Sequence, residues 1–100
     1  EYYELRKKSS DDDTWIWERK EYLIKDYFNK IEQADAVLIL NHDKNNIKGY
    51  IGANTLMEMG IALHFSKPIY LYNQIPDIAY KEEILGMRPI VLNKELERIR

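Results

Sequence analysis

Cysteine is absent from the sequence, so disulfide bonds, thiolate nucleophiles and thiolate metal ligands are excluded. No excess of one charge is present either, because 15 basic and 17 acidic side chains leave a formal net charge of -2. That balance gives no electrostatic basis for binding nucleic acid. No apolar run approaches the roughly 20 residues of a membrane span, and no signal-peptide pattern is found. We therefore expect a cytoplasmic protein that binds neither nucleic acid nor membrane.

Glycine is also scarce, with four residues, and these form neither a Gly-x-Gly-x-x-Gly pattern nor a Gly-Lys-Thr phosphate loop. The sequence thus lacks a dinucleotide-binding fingerprint and a nucleoside-triphosphatase motif. We expect no cofactor.

One hundred residues suffice for one domain with a modest core. The first residue is not Met, and we expect residues 1–13 to form a polar loop or leader, with a segment missing before it, followed by a single α/β domain at 14–100. The run Asp11, Asp12 and Asp13 suggests either a hard-metal site or a solvated acidic helix N-terminus. Consecutive side chains point in different directions, so the solvated run is favoured and no metal site is expected.

Apolar residues at helical spacing indicate an amphipathic helix that begins near Thr14 or Trp15 and extends to Ala34. Trp15 and Trp17 are typical of core or interface anchors rather than of rings that stack on a base. The apolar side chains of this helix are Trp15, Tyr22, Leu23, Tyr27, Ile31 and Ala34.

After this helix, short buried runs alternate with helical segments, which is typical of a parallel sheet. The predicted class is a three-layer α/β fold with a Rossmann-like or flavodoxin-like parallel sheet, and we expect its N-terminal βαβ part to be missing from these residues. Strands are predicted near residues 35–40, 68–72 and 89–92. Helices are predicted around Glu58, at 80–85, and from the cap Asn93 to residue 100.

Polar residues follow two of these strands, at the edge where open α/β sheets bind ligands. Asn41 and Asp43 come after the first strand, and Asn73 follows the second. For residues 42–46 an ordinary turn is the favoured interpretation, since Asn and Asp are common turn formers. Asn41, directly after the strand, is the better candidate for a ligand contact.

Two glycines, Gly49 and Gly52, lie between the first predicted strand and the next helix. They permit positive φ angles and a close backbone approach. A strand, a glycine-bearing loop and a helix form the arrangement that cradles anions.

Residues 49–66 are nearly all apolar or small and contain one formal charge, Glu58. A carboxylate in such a segment is costly unless partners replace its water. By spacing alone, Thr55 and Glu58 fit the Thr-x-x-Glu capping box, with Asn54 as a comparable cap, and this structural role is favoured. The alternative is a carboxylate that acts on a ligand bound near the helix N-terminus.

Four segments resemble the core of the nucleoside 2-deoxyribosyltransferase-like family, over about residues 30–92. They are Ala34-Asp-Ala-Val-Leu-Ile-Leu-Asn41, Gly49-Tyr-Ile-Gly52, Thr55-Leu-Met-Glu-Met-Gly-Ile-Ala62 and Lys67-Pro-Ile-Tyr70. The most specific element is Glu-x-Gly-x-Ala, here Glu58, Gly60 and Ala62. The resemblance implies that Glu58 attacks the anomeric carbon of a nucleoside or nucleotide and displaces the base.

Two positions differ from the family's pattern: Gly52 and Asn41 stand where active members usually or often carry an aspartate. The family's first strand has no counterpart in these residues. Two functions are therefore expected, either N-glycosidic cleavage or deoxyribosyl transfer through Glu58, or a non-catalytic nucleotide-binding or sensor module. The residues expected around the ligand are Asn41, Asp43, Gly49, Gly52, Asn54, Thr55 and Asn73.

The Glu58 segment is apolar on nearly every side, and a helix of that kind is usually buried all round. The side chains expected to face the sheet are Leu56, Met59 and Leu63, and those left for a second surface are Met57, Ile61 and Phe65. Oligomers use such surfaces, so we expect a homo-oligomer that associates through this helix.

Overall fold

The structure, a computed structural model, describes residues 14–99. The long helix predicted near the start of the domain is confirmed as α1. The elements in chain order are α1 (Thr14–Gln33), β1 (Val37–Ile39), α2 (Ala53–His64), β2 (Ile69–Leu71), α3 (Lys81–Gly86), β3 (Ile90–Val91) and a 3-10 helix (Leu96–Arg98).

The three strands form one parallel sheet in the order β1, β2, β3. Val37 pairs with Ile69, and Tyr70 in turn pairs with Ile90. Parallel neighbours require crossover connections, which α2 and α3 supply. The predicted α/β class, with a parallel sheet and a helix around Glu58 joining the first two strands, is confirmed.

One cluster of buried side chains joins one face of the sheet to all three helices. It combines residues of β1, β2 and the three helices with one residue of the loop before α2, Ile51. Its members are Ile31, Val37, Ile39, Ile51, Met59, Ala62, Ile69, Leu71 and Ile84. On the opposite face, Leu38, Tyr70 and Ile90 share one register row. Tyr70 is buried, whereas Leu38 and Ile90 are 39% and 45% exposed. In the described part of the chain, the helices therefore cover one face of the sheet.

The buried stripe of α1 differs from the predicted one. Ile16 and Ile31 are buried, whereas Trp15, Tyr22 and Tyr27 are exposed. Helical spacings of three, four and seven fit two apolar stripes equally well. One begins at Trp15 and the other begins one residue later, at Ile16. The face that meets α2 decides between them. Ile31 is buried as predicted, whereas Trp15, Tyr22 and Tyr27, predicted for the same apolar side, lie outside the core.

The orientation of α2 also corrects the sequence interpretation. Ile61 and Phe65, predicted for an outer surface, pack against the core, while Leu63, predicted to face the sheet, is exposed. Met57 is exposed as predicted. Two of the three side chains invoked for a second apolar surface are thus used inside the domain.

The C-terminal segment is less regular than predicted. Asn93 and Lys94 have positive φ angles of 52° and 68°, and the helix that follows is a single 3-10 turn. These two left-handed residues turn the chain after β3, and the segment that follows forms a 3-10 turn where an α-helix was predicted.

Asp11 to Asp13 lie outside the described residues. Between residues 14 and 99, no helix is both long enough and apolar enough to cross a membrane.

Candidate functional site

The N-terminus of α2 decides between the two interpretations of Glu58. Gly52 is the N-cap residue, and among residues 14–99 no side-chain cap hydrogen bond is formed at this helix end. Thr55 is the third helical residue and Glu58 the sixth, one turn beyond the positions that a capping box uses. Asn54 is the second residue and is not the cap either. The capping role favoured by sequence spacing is therefore wrong.

Glu58 lies beside a pocket of about 250 Å³ between α1 and α2. Other walls of the pocket come from Lys20, Tyr27 and Phe28 of α1 and from Asn54 of α2. Burial raises the pKa of the Glu58 carboxyl above its usual value of 4.5, and the positive charge of Lys20 opposes that rise. The result is a partly desolvated carboxylate that faces open space.

Tyr27 is another titratable group that lines this pocket. Burial and the negative charge of Glu58 raise the pKa of the Tyr27 phenol, with Lys30 acting in the opposite direction. A phenol with a raised pKa keeps its proton at neutral pH and stays a hydrogen-bond donor. The pocket thus combines a carboxylate that can attack or accept a proton with an O–H group that can donate.

Asn41 ends β1 and is buried, with 3% of its surface exposed. Its Nδ2 donates to the carbonyls of Gly49, Asn73 and Gln74 at 3.2, 3.3 and 3.0 Å. Its Oδ1 accepts the backbone N–H of Asn73 at 2.8 Å. The whole amide is engaged inside the protein, so Asn41 holds the loops after β1 and β2 together.

Asp43 and Gly49 close the loop that Asn41 anchors. The backbone N–H of Gly49 donates to Asp43 Oδ1 at 3.0 Å. Gly49 has φ of +69°, and a Cβ at this position would lie 2.2 Å from the carbonyl oxygen of Gln74. The loop therefore needs glycine here for its conformation and for its close contact with the β2 loop.

A second pocket, of about 510 Å³, lies at the start of α2. Four predicted site residues line it, and they are Asp43, Gly52, Asn54 and Thr55. Lys44 and Tyr50 also line it, with the Lys44 ammonium 5.8 Å from the centre of the Tyr50 ring. Asn54 lines both this pocket and the Glu58 pocket, so the two spaces adjoin at that residue.

The loop that leads into α2 is tethered to the far side of the domain. The hydroxyl of Tyr80, at the start of α3, donates a hydrogen bond to the carbonyl of Ile51. Ile51 itself is buried in the core cluster. This tether and the Asn41 contacts fix the position of Gly52 and hence the start of the helix that carries Glu58.

The structure divides the predicted site residues into groups. Glu58 and Asn54 share the first pocket, and Asp43, Gly52 and Thr55 join Asn54 in the second. Asn73 lines a third pocket with Asp43, and its Nδ2 donates to the carbonyl of Asn41 at 3.0 Å.

Sequence reasoning missed the contribution of α1 to the Glu58 pocket. Lys20 and Tyr27 are seven residues apart, with Leu23 and Ile24 between them at helical spacing, so all four lie on one side of α1. That pattern was available, but nothing in it indicates that this side meets Glu58. Among residues 14–99 no three His, Asp or Glu side chains are grouped as metal ligands.

Comparison with protein-family models, with curated proteins and with solved structures finds no match to this chain. The resemblance to nucleoside 2-deoxyribosyltransferases therefore depends on the four short sequence segments alone.

Proposed function

We propose that the protein cleaves or transfers the N-glycosidic bond of a nucleoside or nucleotide, with the Glu58 carboxylate as nucleophile. The observation that carries this proposal is the position of Glu58. Its side chain is half-buried beside a pocket and does not cap the helix. Within the described residues no donor hydrogen-bonds its carboxylate. A partly desolvated carboxylate that accepts no hydrogen bond from these residues is suited to attack an electron-poor carbon.

The reaction proceeds in two steps. The Glu58 oxygen forms an ester bond with the anomeric carbon while the carbon–nitrogen bond breaks and the electron pair leaves with the base. Water, or the nitrogen of a second base, then attacks the same carbon and releases Glu58. Water gives hydrolysis, and a second base gives transfer.

The pocket dimensions fit a ligand that extends through both spaces. The Glu58 pocket, at about 250 Å³, is smaller than most complete ligand sites, whereas the neighbouring pocket of about 510 Å³ falls within their usual range. In this proposal the sugar lies against Glu58 and Tyr27, and the ligand continues past Asn54 towards Gly52.

A non-catalytic nucleotide-binding or sensor module is the second candidate, and two positions favour it. Gly52 has no side chain to engage a base, and the Asn41 amide is fully used by Gly49, Asn73 and Gln74. A module of this kind would bind the same ligands through Asn54, Thr55 and the open amides of α2, and would release no base.

Several broader features belong to the same proposal. We place the domain in a three-layer, Rossmann-like or flavodoxin-like fold, since the exposed Leu38 and Ile90 lie on a sheet face that a further layer would cover. We also propose a cytoplasmic location.

Association through α2 stays a prediction, with Met57 as its exposed apolar contact. Light scattering at micromolar concentration tests it.

The test is incubation of the protein with deoxynucleosides, nucleotides and NAD, followed by chromatography for free base. We expect base release by the parent and a loss of at least about a thousandfold in Glu58→Gln, because an amide cannot carry the glycosyl group. Glu82→Gln, an exposed carboxylate on α3, is the matched control. Equal rates in the parent and Glu58→Gln would overturn the nucleophile assignment.

The second candidate gives a different result in the same samples. If the parent releases no base, but a nucleotide raises its melting temperature and Asn54→Ala removes that rise, the chain is a binding module. If no compound of the panel is cleaved or shifts the melting temperature, both candidates fail.

A further inference from the structure

A third pocket, of about 310 Å³, lies where the loops that follow the three strands meet. Its lining residues are Asp43, Lys48, Asn73, Gln74, Asn93 and Lys94. All six are different from the residues that line the Glu58 pocket. The carboxyl edge of an open parallel sheet is the usual position for ligands, and this space is not used by the reaction described above.

Positive charge predominates in this pocket. Lys48 and Lys94 reach it from two different loops, and neither forms an ion pair with another residue of the described part. Asp43 is the acidic lining residue, and its Oδ1 already accepts the Gly49 N–H at 3.0 Å. Two ammonium groups against one partly engaged carboxylate attract an oxyanion.

Two lining residues also carry side-chain acceptor atoms that have no partner among the described residues. Asn73 uses its Nδ2 on the carbonyl of Asn41, which leaves Asn73 Oδ1 as the free end of that amide. Asp43 Oδ2 is the second acceptor, since the described residues provide a partner only for Oδ1. A ligand that satisfies the pocket therefore carries hydroxyl donors in addition to an anionic group.

The backbone of the lining loops is held in an uncommon conformation. Asn93 and Lys94 have positive φ angles of 52° and 68°, and the Lys94 N–H is fixed to the carbonyl of Tyr72 at 2.7 Å. Such left-handed residues are unfavourable and are frequent where a loop holds a ligand. Here the conformation places Lys94 at the pocket opposite the loop of Lys48.

We propose that this pocket binds a small hydroxyl-bearing phosphate monoester, such as a sugar phosphate. The phosphate lies between Lys48 and Lys94, and the hydroxyl groups donate to Asp43 Oδ2 and Asn73 Oδ1. A volume near the lower end of the range for ligand sites favours a single sugar over a complete nucleotide. This inference does not depend on the activity of Glu58.

Isothermal titration of the full chain with ribose 5-phosphate, inorganic phosphate and ribose tests the proposal. Ribose 5-phosphate should bind more tightly than inorganic phosphate, and uncharged ribose should give no measurable heat. Lys48→Gln and Lys94→Gln should each weaken ribose 5-phosphate binding about tenfold, as expected for loss of one charge-assisted contact. Lys25→Gln removes the same charge from an exposed position on α1 and should leave the affinity unchanged.

Asp43→Asn separates the hydroxyl contact from simple charge attraction. Its Oδ1 still accepts the Gly49 N–H, but the negative charge and the second acceptor oxygen are lost. Inorganic phosphate should then bind more tightly, and the preference for ribose 5-phosphate should decrease, because only the hydroxyl contact to Asn73 Oδ1 remains. An unchanged preference in Asp43→Asn would overturn the hydroxyl assignment.

Three results would overturn the pocket assignment itself. The first is no binding of ribose 5-phosphate at millimolar concentration. The second is an equal loss of affinity in Lys25→Gln and the two pocket variants. The third is a loss in Asn54→Ala without a loss in Lys48→Gln, because that would place the ligand in the pockets beside α2.

Discussion

Asn41 and Asn73 hold each other at the ends of neighbouring strands. Asn41 Oδ1 accepts the backbone N–H of Asn73 at 2.8 Å, and Asn73 Nδ2 donates to the carbonyl of Asn41 at 3.0 Å. Asn41 Nδ2 also donates to the carbonyl of Asn73 at 3.3 Å, so three hydrogen bonds join the two residues. The pair fixes the start of both loops that line the second and third pockets.

Asn41→Ala should destabilise the fold by about 2–4 kcal/mol, because buried backbone groups of Asn73 and the β2 loop lose their partners. Asn41→Asp should also destabilise it, since a carboxylate would face the carbonyls that Nδ2 now serves. Urea denaturation measures both effects. Asn29→Ala, at an exposed position on α1, is the control, and an equal effect there would show that the Asn41 contacts carry little stability.

Gly49→Ala should cost more than about 2 kcal/mol, because φ of +69° is unfavourable for alanine and the new Cβ would overlap the carbonyl oxygen of Gln74. Gly86→Ala is the matched control. A Cβ at Gly86 meets no atom within 4 Å, so that variant should be neutral or slightly stabilised. Similar melting temperatures for both variants would contradict this account of the loop.

Glu58→Gln should stabilise the protein at neutral and higher pH, by less than about 1 kcal/mol because the side chain is partly solvated. The raised pKa means that the folded state binds the Glu58 proton more tightly than the unfolded state. Ionised Glu58 therefore opposes folding above the folded-state pKa, and this cost disappears as pH falls below the usual value of 4.5. Melting curves at about pH 8 and about pH 4 test the sign, and a larger gain at the acidic pH would contradict it.

The acid limb of any base-releasing activity should follow the ionisation of Glu58. Attack requires the carboxylate, so the rate should fall as pH drops through the raised pKa. Lys20→Gln removes the positive charge that opposes the rise and should move the acid limb to higher pH. Lys25→Gln, an exposed lysine on the same helix, should not move it. A limb that stays in place in Lys20→Gln would argue against Glu58 as the titrating group.

The sequence was sufficient for the elements that depend on local patterns. The apolar run Val37 to Ile39, the break at Pro68 and the helical periodicity of residues 15–34 are local signals, and the structure confirms the strands in a parallel sheet and the helix α1. The first residue of α2 could not be predicted from a local pattern of this kind. Thr55 fits a cap by spacing, but the chain already turns into the helix at Gly52, which shifts Glu58 into the second turn.

The environment of Glu58 depended on how two helices meet. Lys20 and Tyr27 reach it only because α1 presents that side to α2, and a single sequence does not contain the rotation of one helix against another. The role of Asn41 was hidden for a similar reason. Its partners lie up to 33 residues away in sequence, so spacing gave no indication that its amide would be fully used.

The row of Leu38, Tyr70 and Ile90 has a consequence for the behaviour of the chain in the cell. Among the described residues β1 is an edge strand, and because Val37 and Ile39 use their amide or carbonyl groups on β2, those of Leu38 point outward. An exposed leucine beside open backbone groups is a template on which a second unfolded chain can add a strand. During synthesis and refolding at high protein concentration, we therefore expect aggregation to begin at this edge.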